Sequence, residues 1–271
     1  MTGSDAPHVE GLIAALVQAR AGLHYGPQER ELFRQRLDDH VADRGFDSLL
    51  DYYYHLRYDA EGTVELDRLV EALLVHETYF FRELSALRSA VDNVVIPAIE
   101  RRGRARVWSA ACSTGEEPLS IAMLLAERGL LDRCEIIASD ISELALARVR
   151  SGRYRTRSLR DEGVALAQRW LRCEPDEITT PPFLRAALDI RCVNLCNPEE
   201  LALLGTFDLV LCRHVLIYFD DARVSSVIAA LAEKLRYDGA LLVGVSESLM
   251  RFSNAVHCEE LGGTFIYRRS T

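Results

Sequence analysis

Residues 104–129 read RARVWSAACSTGEEPLSIAMLLAERG. A short apolar run with β-branched and aromatic members (104–112) enters a polar turn, STGEEP, that holds one glycine. An apolar stretch of helical length follows. Strand, turn and helix in that order are half of a βαβ unit. The pattern recurs in CEIIASD (134–140) followed by ISELALARVRSG. Two further strands lie in ALDIRCVNL (187–195) and FDLVLCRHVLIYF (207–219). DARVSSVIAALAEKLRYDG reads as a helix with a glycine stop, and ALLVGVSES (240–248) as a strand. VHCEELGGTFIYRR reads as a hairpin turning at Gly262–Gly263. The pattern predicts an α/β domain whose mostly parallel sheet is covered on both faces and ends in an antiparallel edge.

Upstream the periodicity is helical. VEGLIAALVQARAG, PQERELFRQRLDDHVADRG, FDSLLDYYYHLRYD and TVELDRLVEALLVHE space their apolar residues for one helix face each. Pro27 stands near the first turn of the second helix and Gly45 at its end. Residues 83–103 read as a connecting helix, broken near Pro97. The expected organisation is a helical domain over 1–90 with a linker helix to about 103, then an α/β domain over 104–271.

Composition narrows the function classes. The chain has 271 residues and a net charge of −9, and its first 95 residues hold 9 basic against 17 acidic groups. A nucleic-acid binder needs a basic footprint, so nucleic acid is not expected as a partner. No apolar run approaches the ~20 residues that span a bilayer. The N-terminus lacks a signal-peptide core, so a cytoplasmic protein without membrane insertion is expected. Seven cysteines at irregular spacing read as reduced thiols. HETYF at 76–80 has Phe80 where a zinc protease helix needs its second histidine, and no metal site is expected. Seven arginines between 150 and 172 suit either a solvated face or a docking surface for an acidic protein.

In doubly wound sheets, ligands bind beyond the carboxyl ends of the strands. Those ends are Cys112–Pro118, Ser139–Asp140, Val193–Leu195 and Cys212–His214. Glu116 and Glu117 open the first helix, where a pyrophosphate would meet carboxylates. A dinucleotide is therefore disfavoured and a cationic amino-acid end favoured. Asp140 ends the next strand, where an acidic residue accepts hydrogen bonds from ribose hydroxyls. A nucleoside with a positive amino-acid tail and no phosphate describes S-adenosylmethionine (SAM). An ordinary turn at the first end and a helix N-cap at Asp140 are the plainer alternatives.

VHETYFFRE (75–83), VWSAACSTGEEPLSIAMLL, ASDIS, SGRY, VNL, FDLVLCRHVLIYF and DGALLVGVSESL, in that order, closely resemble the chemotaxis receptor (CheR-type) protein-glutamate O-methyltransferases. The resemblance implies a Rossmann-like class I methyltransferase domain, a small N-terminal all-helical domain and a small inserted β-subdomain, placed here at about 172–190. It implies methyl transfer from SAM to glutamates on chemoreceptor cytoplasmic helices, leaving S-adenosylhomocysteine. By motif, Thr78 and Arg82 would contact the cofactor, with Arg82 at the reacting centre. Glu117 would meet the methionine amino end, Asp140 the ribose, and Asn194 and Leu195 the adenine. Arg213 and His214 would line the remaining wall, and Tyr218 would help position the substrate.

Two positions depart from the family pattern, with His76 and His214 standing where asparagine is usual. Either histidine could still hydrogen-bond the cofactor or simply pack. The second helix, basic in the family, here reads RLDDHVADRG, and the candidate β-subdomain is short. Independence from a receptor C-terminal pentapeptide tether is therefore expected. A non-catalytic SAM-binding adaptor, or a methyltransferase for a different protein, are the other functions these residues allow.

Overall fold

The computed structural model describes residues 6–160, 163–252 and 255–270. The chain divides into two units. One runs to Val75 and takes in Tyr218–Arg223; the other comprises His76–Ile217 and the residues from Val224 on.

The first unit is built on α1 (Ala6–Ala21), α2 (Arg30–Asp43), α3 (Leu49–Tyr58) and α4 (Gly62–Leu73). Val9, Ile13 and Val17 on α1, and Phe33, Leu37 and Val41 on α2, recur every fourth residue and are all buried, which is the spacing of one helix face. Ser48 caps α3 by accepting from the Asp51 N–H. Gly62 opens α4 because a Cβ there would lie 2.5 Å from two α3 carbonyl oxygens. The centre of the unit is polar. The Glu65 carboxylate, 1% exposed, accepts from His40, Arg44, Arg68 and the Tyr52 hydroxyl. Tyr218–Arg223 is tied in by the His24 N–H to the Tyr218 carbonyl, a Leu23–Phe219 bridge and Gln18 to Asp220.

The second unit starts earlier than the expected boundary at about 103. α5 (Leu84–Ala90), a π-helical turn (Val91–Val95) and α6 (Ile96–Arg102) run on continuously. Leu84, Leu87, Val91, Val94, Val95 and Ile99 are buried in the core of the sheet domain. Pro97 does not break this helix. It sits in the first turn of α6, where the wider preceding turn accommodates its missing N–H.

From there β1 (Ala105–Ala110), α7 (Glu116–Glu127), β2 (Cys134–Asp140) and α8 (Glu143–Ser151) alternate as expected. After the short β3 (Arg153–Tyr154), α9 (Val164–Trp170), β4 (Arg172–Cys173), β5 (Ile178–Thr179) and α10 (Pro182–Ala186) comes β6 (Leu188–Cys192). Then follow α11 (Pro198–Ala202), β7 (Phe207–Cys212), α12 (Asp221–Glu233), β8 (Leu235–Leu242), β9 (Val256–Leu261) and β10 (Thr264–Arg269).

The seven-stranded sheet has the order β6-β2-β1-β7-β8-β10-β9. Its first five strands are parallel, and β10 is antiparallel to both neighbours. This is the Rossmann-like class I methyltransferase arrangement, and the order reverses beside β1. A second sheet, β3-β5-β4, is antiparallel. It spans 153–179 rather than about 172–190, and Leu188–Cys192 belongs to the main sheet. Strands of two residues carry no periodicity for a sequence to display. Gly239 is likewise no helix stop. It lies inside β8, next to a register irregularity at Phe207/Leu209, and a Cβ there would meet the Phe207 carbonyl oxygen at 2.7 Å.

Candidate active site

The strand register places the first, second and fourth strand ends level. Ala110 of β1 pairs with Ser139 on one side and Cys212 on the other. Cys112 N–H donates to the Ser139 carbonyl and Val193 N–H to the Asp140 carbonyl, so the loop after β6 joins the same edge. Five non-glycine residues among those described have positive φ: Phe81, Glu83, Ala111, Ser113 and His214. All lie at these strand ends or in the 76–83 segment. Left-handed backbone outside glycine costs energy and persists where its surroundings over-determine it, which marks such a cluster as a candidate site. Gly115 completes the β1 turn at φ +89°, and a Cβ there would lie 2.7 Å from Val149 methyl carbons.

VHETYFFRE is not helical. α4 stops at Leu73, and the segment runs without regular structure into a turn over Phe80–Glu83. Phe80 and Phe81 are both buried in the core of the sheet unit. Phe80 donates its N–H to the Ser158 carbonyl and packs edge-on against Tyr154; Phe81 donates to Ser120 Oγ at 2.8 Å. Two anchored aromatics thus hold the polar residues around them. His76 Nδ1 stands 3.4 Å from Ser113 Oγ, which brings it to the β1 turn. Arg82, partly exposed, donates to the Glu77 carbonyl and lies over the Tyr79 ring. Thr78 is partly exposed between them.

The electrostatic centre is Arg213. Its side chain is 2% exposed, and its two Nη atoms reach Glu117 at 2.8 Å, Glu83 at 2.7 Å and the Arg82 carbonyl at 2.8 Å. His214 Nε2 lies 3.0 Å from the other oxygen of Glu83. Burial would raise the Glu83 pKa, but the nearby His214 ring and the Arg213 charge outweigh it and hold the group at about 2. Glu117 also accepts from Ser109 Oγ. Glu116 behaves differently. It is buried, bonded to Thr114 and Ser158, and burial pushes its pKa up. Of the two glutamates in the turn, one braces the loop and one faces the ion pairs. Asp140, 7% exposed, accepts from the Ser113 and Ser142 N–H groups.

Family models match nearly all of this chain. The all-alpha domain of CheR methyltransferases matches residues 11–74 and their SAM binding domain residues 76–263. The chain belongs to the CheR methyltransferase family. It is 34% identical to chemotaxis protein methyltransferase 2 of Vibrio cholerae over 91% of this chain and 83% of that one. Identity is 33% to the chemotaxis protein methyltransferase of Salmonella typhimurium, over 95% and 88% of the two chains. For the Escherichia coli protein the figures are 31%, 95% and 89%.

The strand ends of this CheR-family methyltransferase suit SAM chemically. Glu83 and Glu117 share one guanidinium, and Asp140 adds a third carboxylate nearby, so the edge favours a cation over a phosphate. Each carboxylate oxygen has lone pairs beyond the bonds named, enough to accept from hydroxyl or ammonium groups. Asn194 and Leu195 are both buried after β6. Asn194 N–H donates to Glu200, and its side-chain oxygen accepts from the Cys196 N–H, which fixes the loop. Tyr218 belongs to the helical unit, where its carbonyl holds the His24 N–H.

Two functional-site residues escape a reading of the sequence. Glu83 ends the quoted motif, but nothing in a one-dimensional pattern pairs it with Arg213, 130 positions away. Glu247 accepts from the N–H groups of His214, Leu216 and Gly244 at 2.6, 3.0 and 2.9 Å. Its signal was the S-E-S run beyond the fifth parallel strand, an acidic residue at a strand end like Asp140.

Proposed function

We propose that this methyltransferase transfers the methyl group of SAM to glutamate side chains of chemoreceptor cytoplasmic helices, producing γ-glutamyl methyl esters. The observation that carries this reading is the ion-pair cluster of Glu83, Arg213 and Glu117 at the same level sheet edge as Asp140, with the Arg82 carbonyl bonded to Arg213, in a chain of the CheR family over both its domains.

When bound, SAM supplies a sulfonium-activated methyl group that leaves a neutral thioether. The acceptor carboxylate, with an ordinary pKa near ~4.3, is already ionised at neutral pH and needs no general base. The chain's task is therefore alignment and desolvation. Asp140 would hold the ribose, Glu117 the amino end, Asn194 and Leu195 the adenine. Thr78 and Arg82 would face the methionine end, and Arg82 would orient carboxylates there. His76 and His214 would contribute to the same wall, with Arg213 and Glu83 keeping Glu117 in place. Tyr218 is assigned to positioning the substrate. The two-residue strands of the small sheet support independence from a receptor pentapeptide tether. No helix among the described residues is long and apolar enough to cross a membrane.

Incubation with methyl-labelled SAM and chemoreceptor cytoplasmic fragments tests this function. Base-labile methanol release from the receptor is expected, equally with and without its C-terminal pentapeptide. SAM binding without ester formation would overturn it in favour of the adaptor function.

A further inference from the structure

Resting on that function, we propose that the turn carrying Arg155 and Arg157 is the surface that receives the acidic helical segment around the acceptor glutamate. The seven arginines of residues 150–172 are not equivalent in the folded chain. Arg150 pairs with Glu143, Arg153 with Glu177, Arg160 with Glu77, Arg169 with Glu127 and Arg172 with Glu174. These five form internal surface pairs. Arg155 and Arg157 are exposed and have no acidic partner among the described residues.

Their position relates them to the chemistry. They flank Thr156 on a short 3-10 turn (Thr156–Ser158) directly after β3. Ser158 fastens that turn to the site from two sides. Its carbonyl accepts the Phe80 N–H, and its hydroxyl donates to Glu116. Arg160, two residues on, stacks over the same Tyr79 ring as Arg82, at 5.0 Å and 5.7 Å. These two cations, with no acidic partner among the described residues, are therefore held by the Ser158 bonds beside the segment that carries Arg82, in a chain whose overall charge is −9. The first 95 residues carry −8 of that net charge, so an anionic polypeptide meets little net repulsion from the rest of the chain and attraction here. Fixed local charge of this kind raises encounter rates and fixes orientation. A helix bearing the acceptor glutamate among other acidic residues has the matching chemistry.

The test is the Arg155→Glu/Arg157→Glu double variant, with Arg155→Ser/Arg157→Ser as a milder one. Methyl transfer to the receptor fragment is measured against salt, and S-adenosylhomocysteine binding by calorimetry. Charge reversal should raise KM for the receptor by about tenfold or more at low salt and flatten its salt dependence. Neutralisation should do so by less, and both variants should keep the wild-type kcat and cofactor affinity. Arg172→Glu, which alters a paired arginine, should leave KM unchanged. Wild-type KM in the double variant, or an equal rise in Arg172→Glu, would overturn the docking surface while leaving the proposed function intact. Failure of the wild-type protein to methylate any receptor removes the function, and the docking surface with it.

Discussion

Arg213 and Glu83 form a buried ion pair at 2.7 Å that joins the end of β7 to the segment preceding α5. Because Glu117 takes the other end of the same guanidinium, the three charges connect the β1 turn, the end of β7 and the segment preceding α5. The Glu83 carboxylate is held down at about 2 against an unfolded value near ~4.3. A depressed carboxylate contributes stability that is fully present above the unfolded pKa and is lost as pH falls through the folded one. Wild-type stability, followed by urea unfolding, should therefore fall between about pH 4.5 and 2 more steeply than that of Glu83→Gln. Identical slopes would show that Glu83 is not linked to folding.

Asp140 is the strand-end carboxylate assigned to the ribose, and it also holds the Ser113 and Ser142 N–H groups. Asp140→Ala should weaken S-adenosylhomocysteine binding by about ten- to a hundredfold, the loss expected for hydrogen bonds to a charged group. Calorimetry reads this directly. Unaltered affinity would remove Asp140 from the cofactor site.

Among the described residues the Arg82 side chain makes one hydrogen bond, to the Glu77 carbonyl, and the residue is partly exposed. Its removal should leave folding intact. Arg82→Ala should lower kcat by about a hundredfold or more, as losing a charge-orienting donor does, with an unchanged melting temperature. Retained turnover would place the acceptor carboxylate elsewhere.

The alternation of strands and helices was legible because the central strands β1, β2 and β7 are buried almost throughout and read as apolar runs. The strand-end position of Glu117 and Asp140 was legible because fold topology fixes what lies beyond the parallel strands. Three features were not. The helices at 84–102 looked like a linker, since a helix packed on a sheet and one between domains share the same apolar stripe. The extended form of VHETYFFRE was hidden because His76–Tyr79 is held by tertiary bonds such as that of His76 to Ser113, not by local propensity. The mixed character of the arginine run appeared only once Glu77 and Glu127, distant in sequence from Arg160 and Arg169, were brought alongside.

Glu65 concentrates the polar interactions of the helical unit. Burial would raise its pKa, yet the bonds from His40, Arg44 and Arg68 hold it below the ordinary value. Glu65→Ala leaves three cationic or ionisable groups around an apolar stub. Because the Arg44 and Arg68 side chains are exposed enough to be resolvated, it should destabilise the full chain by about 1–3 kcal/mol, the range for losing hydrogen bonds to a charged group. Thermal unfolding and hydrogen exchange over α2 and α4 check this. Loss of protection confined to the sheet domain would contradict it.

Glu247 is a positioning residue. It touches no strand-end carboxylate, but its three N–H bonds hold Gly244, His214 and Leu216 in one arrangement, with His214 at φ +59°. Gly244 permits this, since a Cβ there would lie 2.7 Å from the His214 ring. Removing the carboxylate frees a strained backbone that also carries the His214 contact to Glu83. Glu247→Ala should therefore lower kcat and weaken S-adenosylhomocysteine binding. Glu247→Gln, which keeps one acceptor oxygen, should restore part of both. A purely structural role would lower the melting temperature in both variants without this graded recovery of kcat at a temperature where each is folded.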